Sequence, residues 1–171
     1  MTPSSFSEPH AQSIGPYEVL LDIGSGGMGT ISLARATGEP VGVGGFTRLV
    51  ALKRPHGALA SDPEVLRRFL DEARLLAQVH HANVIGIHQI GSDGGGHFLV
   101  LDYVEGGTLD ELMTHAILRR KRLAPPVVLR IVSDVLAGLH AVHEAVDAAG
   151  QPLRMLHRDV SSQNVLVGRD G

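Results

Sequence analysis

Cysteine and tryptophan are both absent from this 171-residue chain, and aromatic residues make up only 4% of it. Without cysteine there is no disulfide framework and no thiolate chemistry, which fits a reducing compartment. An excess of one charge is missing as well. The chain has 15 Lys and Arg against 18 Asp and Glu, a net charge of −3 with histidines neutral. No global basic field therefore draws it to nucleic acid or to an anionic membrane. No segment offers the ~18 uninterrupted apolar residues of a membrane span. The N-terminal stretch MTPSSFSEPHAQSIGP has neither the basic start nor the apolar run of a secretion signal. The cytoplasm is the expected location.

What remains is the composition of a globular protein, 43% hydrophobic and 19% charged. Its length suits one domain or two small lobes sharing a cleft. Residues 1–15 are polar, with little to bury, and read as a flexible N-terminal tail. From Tyr17 three short apolar runs follow, YEVLLDIG, TISLARA and RLVALKR, punctuated by Gly and Pro as antiparallel strands are. Asp62-Pro63 gives an N-cap and a first-turn proline, with Ser61 and Glu64 as an alternative capping box. Leu66, Phe69, Leu70, Ala73, Leu76 and Ala77 then recur at helical spacing. NVIGIHQIG and HFLVLDYV predict two more strands joined by the turn SDGGG, making five strands with one helix inserted after the third. EGGTLDEL leads into a short helix capped by Thr108, and Pro125-Pro126 opens a long one. The long helix carries the apolar stripe Val128, Ile131, Val132, Val135, Leu136, Leu139 and Val142. A loop, HRDVSSQN, and a last short strand, NVLV, follow.

Three clusters carry chemistry. Gly24, Ser25, Gly26, Gly27, Met28 and Gly29 form a G-x-G-x-x-G. Before a helix that pattern suggests a dinucleotide site, but here a strand follows. A glycine turn between antiparallel strands is either a flexible hairpin or a place where backbone N–H groups face phosphate oxygens. Lys53 shares a strand face with Ala51. It is either a solvated lysine or an ammonium that needs an anion, which Glu72 in the following helix could supply if it faces the sheet. In HRDVSSQN, Asp159 can orient or deprotonate a hydroxyl, and the carboxamide of Asn164 can bind a hard cation. His157 reads as a hydrogen-bonded prop, and Arg158 as either a phosphate ligand or an exposed side chain. His80, His81 and His88 are not spaced as a metal site.

In order and spacing these clusters resemble the eukaryotic-type serine/threonine protein kinases, including the bacterial ones, from about Tyr17 onward. IGSGGMGTI, from Ile23 to Ile31, resembles the phosphate-covering loop, with Ile31 over the adenine. VALK resembles the third strand with the ATP-binding Lys53 and makes Glu72 its partner. FLVLDYVEGGTLDEL resembles the fifth strand and hinge, with Leu101 as gatekeeper and the backbone of Asp102 and Val104 at the adenine edge. HRDVSSQNVLV resembles the catalytic loop, with Asp159 as base and Asn164 as magnesium ligand.

The resemblance implies an α+β two-lobe fold: a five-stranded antiparallel small lobe with one helix, about 16–104, and a mainly helical large lobe starting at about 105. It also implies ATP and Mg2+ as cofactors and a protein Ser/Thr hydroxyl as acceptor. Two departures stand out. Ser161 occupies the position where Ser/Thr-specific members carry a lysine that touches the transferring phosphate, which blurs the distinction from tyrosine kinases. The Asp-Phe-Gly segment expected just after NVLV is also missing. The expectation is a kinase domain cut short, inactive or impaired alone, with the long helix's stripe uncovered and a complementing C-terminal fragment as one partner. Two other functions compete: a pseudokinase-like module that holds a partner, and a small-molecule phosphotransferase of kinase-like fold.

Overall fold

The computed structural model describes residues 12–26, 29–37, 48–56 and 61–169. Gly27 and Met28, most of the expected tail and most of the connection TGEPVGVGGF lie outside the described residues. Two compact units divide the chain, Met1–Leu70 with His88–Leu101 and Asp71–Ile87 with Asp102–Gly171.

The first unit is built on one sheet. Its strands are β1 (Ser13–Ile14), β2 (Tyr17–Gly26), β3 (Gly29–Ala36), β4 (Leu49–Arg54), β5 (Ile87–Asp93) and β6 (Gly96–Asp102). Their spatial order is β1-β2-β3-β4-β6-β5, with β1 to β4 successively antiparallel. Five of these are the strands expected from the sequence. The sixth, β1, is a two-residue strand at the end of the polar tail, too short to show any alternation. Its Ile14 is buried with Ala34, Val50, Leu52, Phe98 and Val100, and Tyr17 and Val19 pack against them. The register of β2 on β3 slips between Val19 and Leu21 and again between Asp22 and Gly24. These bulges break the inside-outside alternation, and Leu20, Leu21 and Ile23 are all exposed.

An ion pair joins β4 to β5 across β6. Arg54 Nη2 donates to both Asp93 carboxylate oxygens at 2.6 and 2.7 Å. The same carboxylate accepts from the Gly15 N–H at 3.1 Å and the Gly95 N–H at 2.9 Å. Burial alone would raise the Asp93 pKa, but the bonds from Gly95, Arg54 and Gly15 outweigh it and hold the carboxyl below its ordinary value. A depressed folded-state pKa contributes stability above the unfolded-state value, about 4. That contribution is lost as pH falls through the folded-state value. Asp93→Asn should therefore cost about 2 kcal/mol at neutral pH. Thermal melts across the acid range should show the wild-type chain approaching the variant as Asp93 protonates.

Helix α1 (Pro63–Leu76) begins in the first unit and ends in the second. Asp62 caps it as expected, its Oδ1 accepting from the backbone N–H of Glu64 at 2.8 Å and of Val65 at 3.3 Å.

In the second unit, β7 (Gly106–Thr108) pairs antiparallel with β8 (Leu166–Gly168), the strand read from NVLV. Helix α2 (Leu109–Leu118) starts with a full capping box between Thr108 and Glu111. The Thr108 N–H and hydroxyl hold the Glu111 carboxyl below its ordinary pKa. The helix ends with the Lys121 N–H bonded to the Ala116 carbonyl and the Arg120 N–H to the Ile117 carbonyl. This is a Schellman motif, whose left-handed position usually holds glycine. Here Arg120 occupies it at φ 53°, at a cost of about 1 kcal/mol.

Helix α3 (Pro125–His143) opens on its two prolines. Its approach to the turn at 81–84 depends on Gly138, where an added Cβ would lie 2.5 Å from the Asn83 carbonyl oxygen. The expected stripe is present but unevenly covered. Val142 is buried, whereas Val128, Val132 and Leu136 are exposed. By length and composition α3 alone among the described helices could cross a bilayer. It carries an Arg130–Asp134 ion pair at 2.6 Å, however, and buries Gly138 and Val142 in the second unit.

Candidate functional site

The glycine hairpin lies at the β2–β3 end of the first unit. Gly24 pairs with Ile31, Ser25 with Thr30 and Gly26 with Gly29. Gly29 has φ +143°, and a Cβ there would run into the Arg54 carbonyl oxygen. Only glycine at position 29 lets β3 start against the end of β4. On the next strand pair, Ile31 stands opposite Lys53 and Leu33 opposite Ala51. Ala51 is buried and Lys53 half-buried. The Lys53 ammonium sits 5.8 Å from the centre of the Phe69 ring, a cation–π distance that no spacing in the sequence signals. The aromatic face steadies the cation without neutralising it, so its positive charge stays available to an anion. Leu101, half-buried, closes this unit at the end of β6, and Ile23 is exposed.

The second unit carries the remaining candidates. Glu72 is an exposed residue of α1. Asp102 exchanges two bonds with Gly86: its N–H donates to the Gly86 carbonyl and its carboxylate accepts the Gly86 N–H, both at 3.0 Å. The side chain thus fixes the backbone of a segment for which the sequence suggested only backbone contacts. Two residues on, Val104 lines a cavity of about 930 Å³ that also takes in Ser161 and Asn164. Ile131, Val135 and Leu139 form its apolar wall from α3.

The loop HRDVSSQN is held in an unusual shape. The Asp159 N–H bonds the His157 carbonyl at 2.8 Å, closing a three-residue turn around Arg158, whose φ is 61°. Such a γ-turn with a positive central φ is rare and strained. The strain is concentrated immediately before Asp159. Asn164 Nδ2 donates to the Asp159 backbone oxygen at 3.0 Å and to its carboxylate Oδ2 at 2.8 Å. With its amide N–H groups committed, the Asn164 carboxamide oxygen is left as an acceptor, the donor type a hard cation takes. His157 does not act as the expected hydrogen-bonded prop. It is exposed, and among the described residues its ring makes no hydrogen bond.

The loop is anchored by residues the sequence did not single out. Ser162 Oγ donates to Asp110 Oδ1 at 3.0 Å, and the Asp110 N–H donates back to the Ser162 carbonyl at 3.1 Å. The Leu109 N–H bonds the Val165 carbonyl at 2.8 Å, and Arg169 pairs with Glu105. The first turn of α2 thus serves as the platform for the Asp159–Asn164 loop. Among the described residues no group of three or more His, Asp or Glu could hold a metal. Magnesium does not require one, since it keeps waters and takes substrate phosphates beside one or two protein oxygens.

Comparison with known proteins gives a consistent result. The protein kinase domain family model matches residues 17–171. The Myxococcus xanthus protein named tyrosine-protein kinase MasK is 36% identical over 163 residues, covering 95% of this chain and 25% of that protein. The Bacillus subtilis serine/threonine-protein kinase PrkC is 30% identical over 157 residues, covering 92% of this chain and 21% of that protein. The chain thus spans about a quarter of the length of these curated relatives. The solved kinase domain of Mycobacterium tuberculosis PknI superposes with a TM-score of 0.67 at 27% identity, covering 96% of this chain and 59% of that one. With the glycine hairpin, the lysine strand and the Asp159–Asn164 loop in the family's order, the chain belongs to the protein kinases, among the eukaryotic-type kinases of bacteria.

Proposed function

We propose that this chain is the ATP-binding part of a cytoplasmic protein serine/threonine kinase. The glycine hairpin and Lys53 would receive the triphosphate, with Ile23, Ile31, Ala51, Leu101 and the backbone of Asp102 and Val104 around the adenine. Asp159 would orient the acceptor hydroxyl. The observation that carries this reading is the Asn164 amide locked onto Asp159. One side chain would position the proposed base and keep its carboxamide oxygen as an acceptor for magnesium. That ion, when bound, would supply charge stabilisation at the phosphates.

No Asp-Phe-Gly occurs in the 171 residues, so we expect nucleotide binding to exceed turnover. Calorimetric titration of the 171-residue chain with Mg-ATP tests this. Binding is expected, and Lys53→Met should weaken it at least about tenfold, the value of a charge-assisted contact. A folded chain with no affinity for adenine nucleotides would overturn the proposal. Partner capture without nucleotide would then favour the pseudokinase-like reading, and phosphate transfer to a small-molecule hydroxyl the phosphotransferase one.

A second reading concerns the acceptor. Ser161 leaves the lysine position empty of charge, and one relative is named a tyrosine-protein kinase. Phosphoamino-acid analysis of any phosphorylated product decides it. Phosphoserine and phosphothreonine are expected; phosphotyrosine alone would transfer the assignment to the tyrosine class.

A further inference from the structure

The net charge of −3 conceals a strongly basic region. Residues 112–133 hold five of the chain's 15 Lys and Arg and no Asp or Glu. Four of the five are consecutive, Arg119, Arg120, Lys121 and Arg122, and all four are exposed. No acidic side chain among the described residues pairs with any of them. Directly before them, Ile117 and Leu118 are 73% and 75% exposed, more than any other large hydrophobic residue among those described. The Schellman turn links these features. It brings the chain around at the end of α2 so that two apolar tips and four cations share one turn. It does so with Arg120 in a backbone conformation that suits glycine better. A cation kept at a strained position, among cations with no acidic partner among the described residues, indicates a demand for charge that folding does not make.

We infer that the α2–α3 corner, residues 117–122, binds the surface of an anionic lipid bilayer. A lipid surface suits this geometry better than an acidic peptide. A cluster of arginines alone could take an acidic peptide, but it would leave Ile117 and Leu118 in water unless a groove received the peptide's apolar side chains as well, and residues 117–122 line no part of the cavity in this unit. Protruding apolar side chains next to lysines and arginines are the arrangement that enters a headgroup layer, apolar tips toward the acyl boundary and cations at the phosphates. The inference is independent of the nucleotide site, because none of these residues belongs to it.

Co-sedimentation of the 171-residue chain with two vesicle types tests it: phosphatidylserine mixed with phosphatidylcholine, and phosphatidylcholine alone. Binding to the anionic vesicles only, weakened by high salt, is expected. Each cation near an anionic surface should strengthen binding about fivefold. Replacing all four with Gln should therefore lower it by well over about tenfold. Ile117→Ser with Leu118→Ser should weaken it while leaving its salt dependence in place. Arg120→Gly guards against a folding defect, because it should raise the melting temperature while lowering vesicle binding. Equal binding to both vesicle types, no binding, or binding unchanged in the four-Gln variant would overturn the inference. So would tighter capture by polyglutamate than by the anionic vesicles.

Discussion

Phe98→Ala should unfold the first unit more readily than any other single truncation in its core, at a cost of about 3–5 kcal/mol. Phe98 is 2% exposed and stands among Ile14, Ala34, Val50, Leu52 and Val100. Tyr17 meets it edge to face, with ring centres 6.3 Å apart, a geometry that contributes beyond buried area. Two glycines are shaped to the ring. A Cβ on Gly15 would lie 3.0 Å from its tip, and one on Gly91 would run into it. Truncation thus leaves a cavity bounded by backbone, which relaxes poorly, and this places the expected loss at the upper end for a large-to-small change. Gly91→Ala provides the converse test, since overpacking against the same ring should cost about 1–3 kcal/mol. Chemical denaturation of both variants checks the pair. A loss below about 1 kcal/mol for Phe98→Ala would mean that the ring is not the centre of this core.

The strands that enclose Phe98 were largely legible in the sequence, because glycine and proline bracket runs of the right length. The caps at Asp62 and Thr108 were legible for a related reason: a capping side chain acts within three residues of itself. The features that escaped are those that join distant positions or depend on backbone shape. Arg54 and Asp93 are 39 residues apart, and Asp110 and Ser162 are 52 apart. Nothing in the local pattern of either pair signals the contact. The bulges in β2 place Leu21 and Ile23 in solvent where strict alternation would bury one face. Lys53 shows how a strand position can be legible while its surroundings are not. The strand and its face were readable from VALK, but the ring of Phe69 beneath the ammonium was not. The turn at Arg158 is a further case, since a positive φ at a non-glycine residue leaves no mark on composition. Overall charge misled in the same manner at residues 119–122, where an average near neutrality hides a run of four cations.

Asn164→Ala should separate the two parts assigned to that side chain. In the intact loop its amide binds both the Asp159 backbone oxygen and the carboxylate. Removing it leaves Asp159 held by the strained turn at Arg158 and by the Ser162–Asp110 anchor three residues on. The fold should persist, because Asp159 and Asn164 are both exposed and no buried polar group loses its only partner. What should disappear is the dependence on magnesium. Nucleotide titrations with and without Mg2+ should differ for the wild-type chain and nearly coincide for Asn164→Ala, a loss of about tenfold in the metal-dependent part of affinity. Asn164→Asp sharpens the comparison. It keeps an oxygen for the metal but sets a second carboxylate within bonding distance of the first, so one of the two should hold a proton in the absence of a cation. Its affinity for Mg-ATP should then rise with pH, while that of the wild-type chain changes little over the same interval. If Asn164→Ala retains the full magnesium increment, Asn164 is only a brace for Asp159, and the metal must be held by other oxygens.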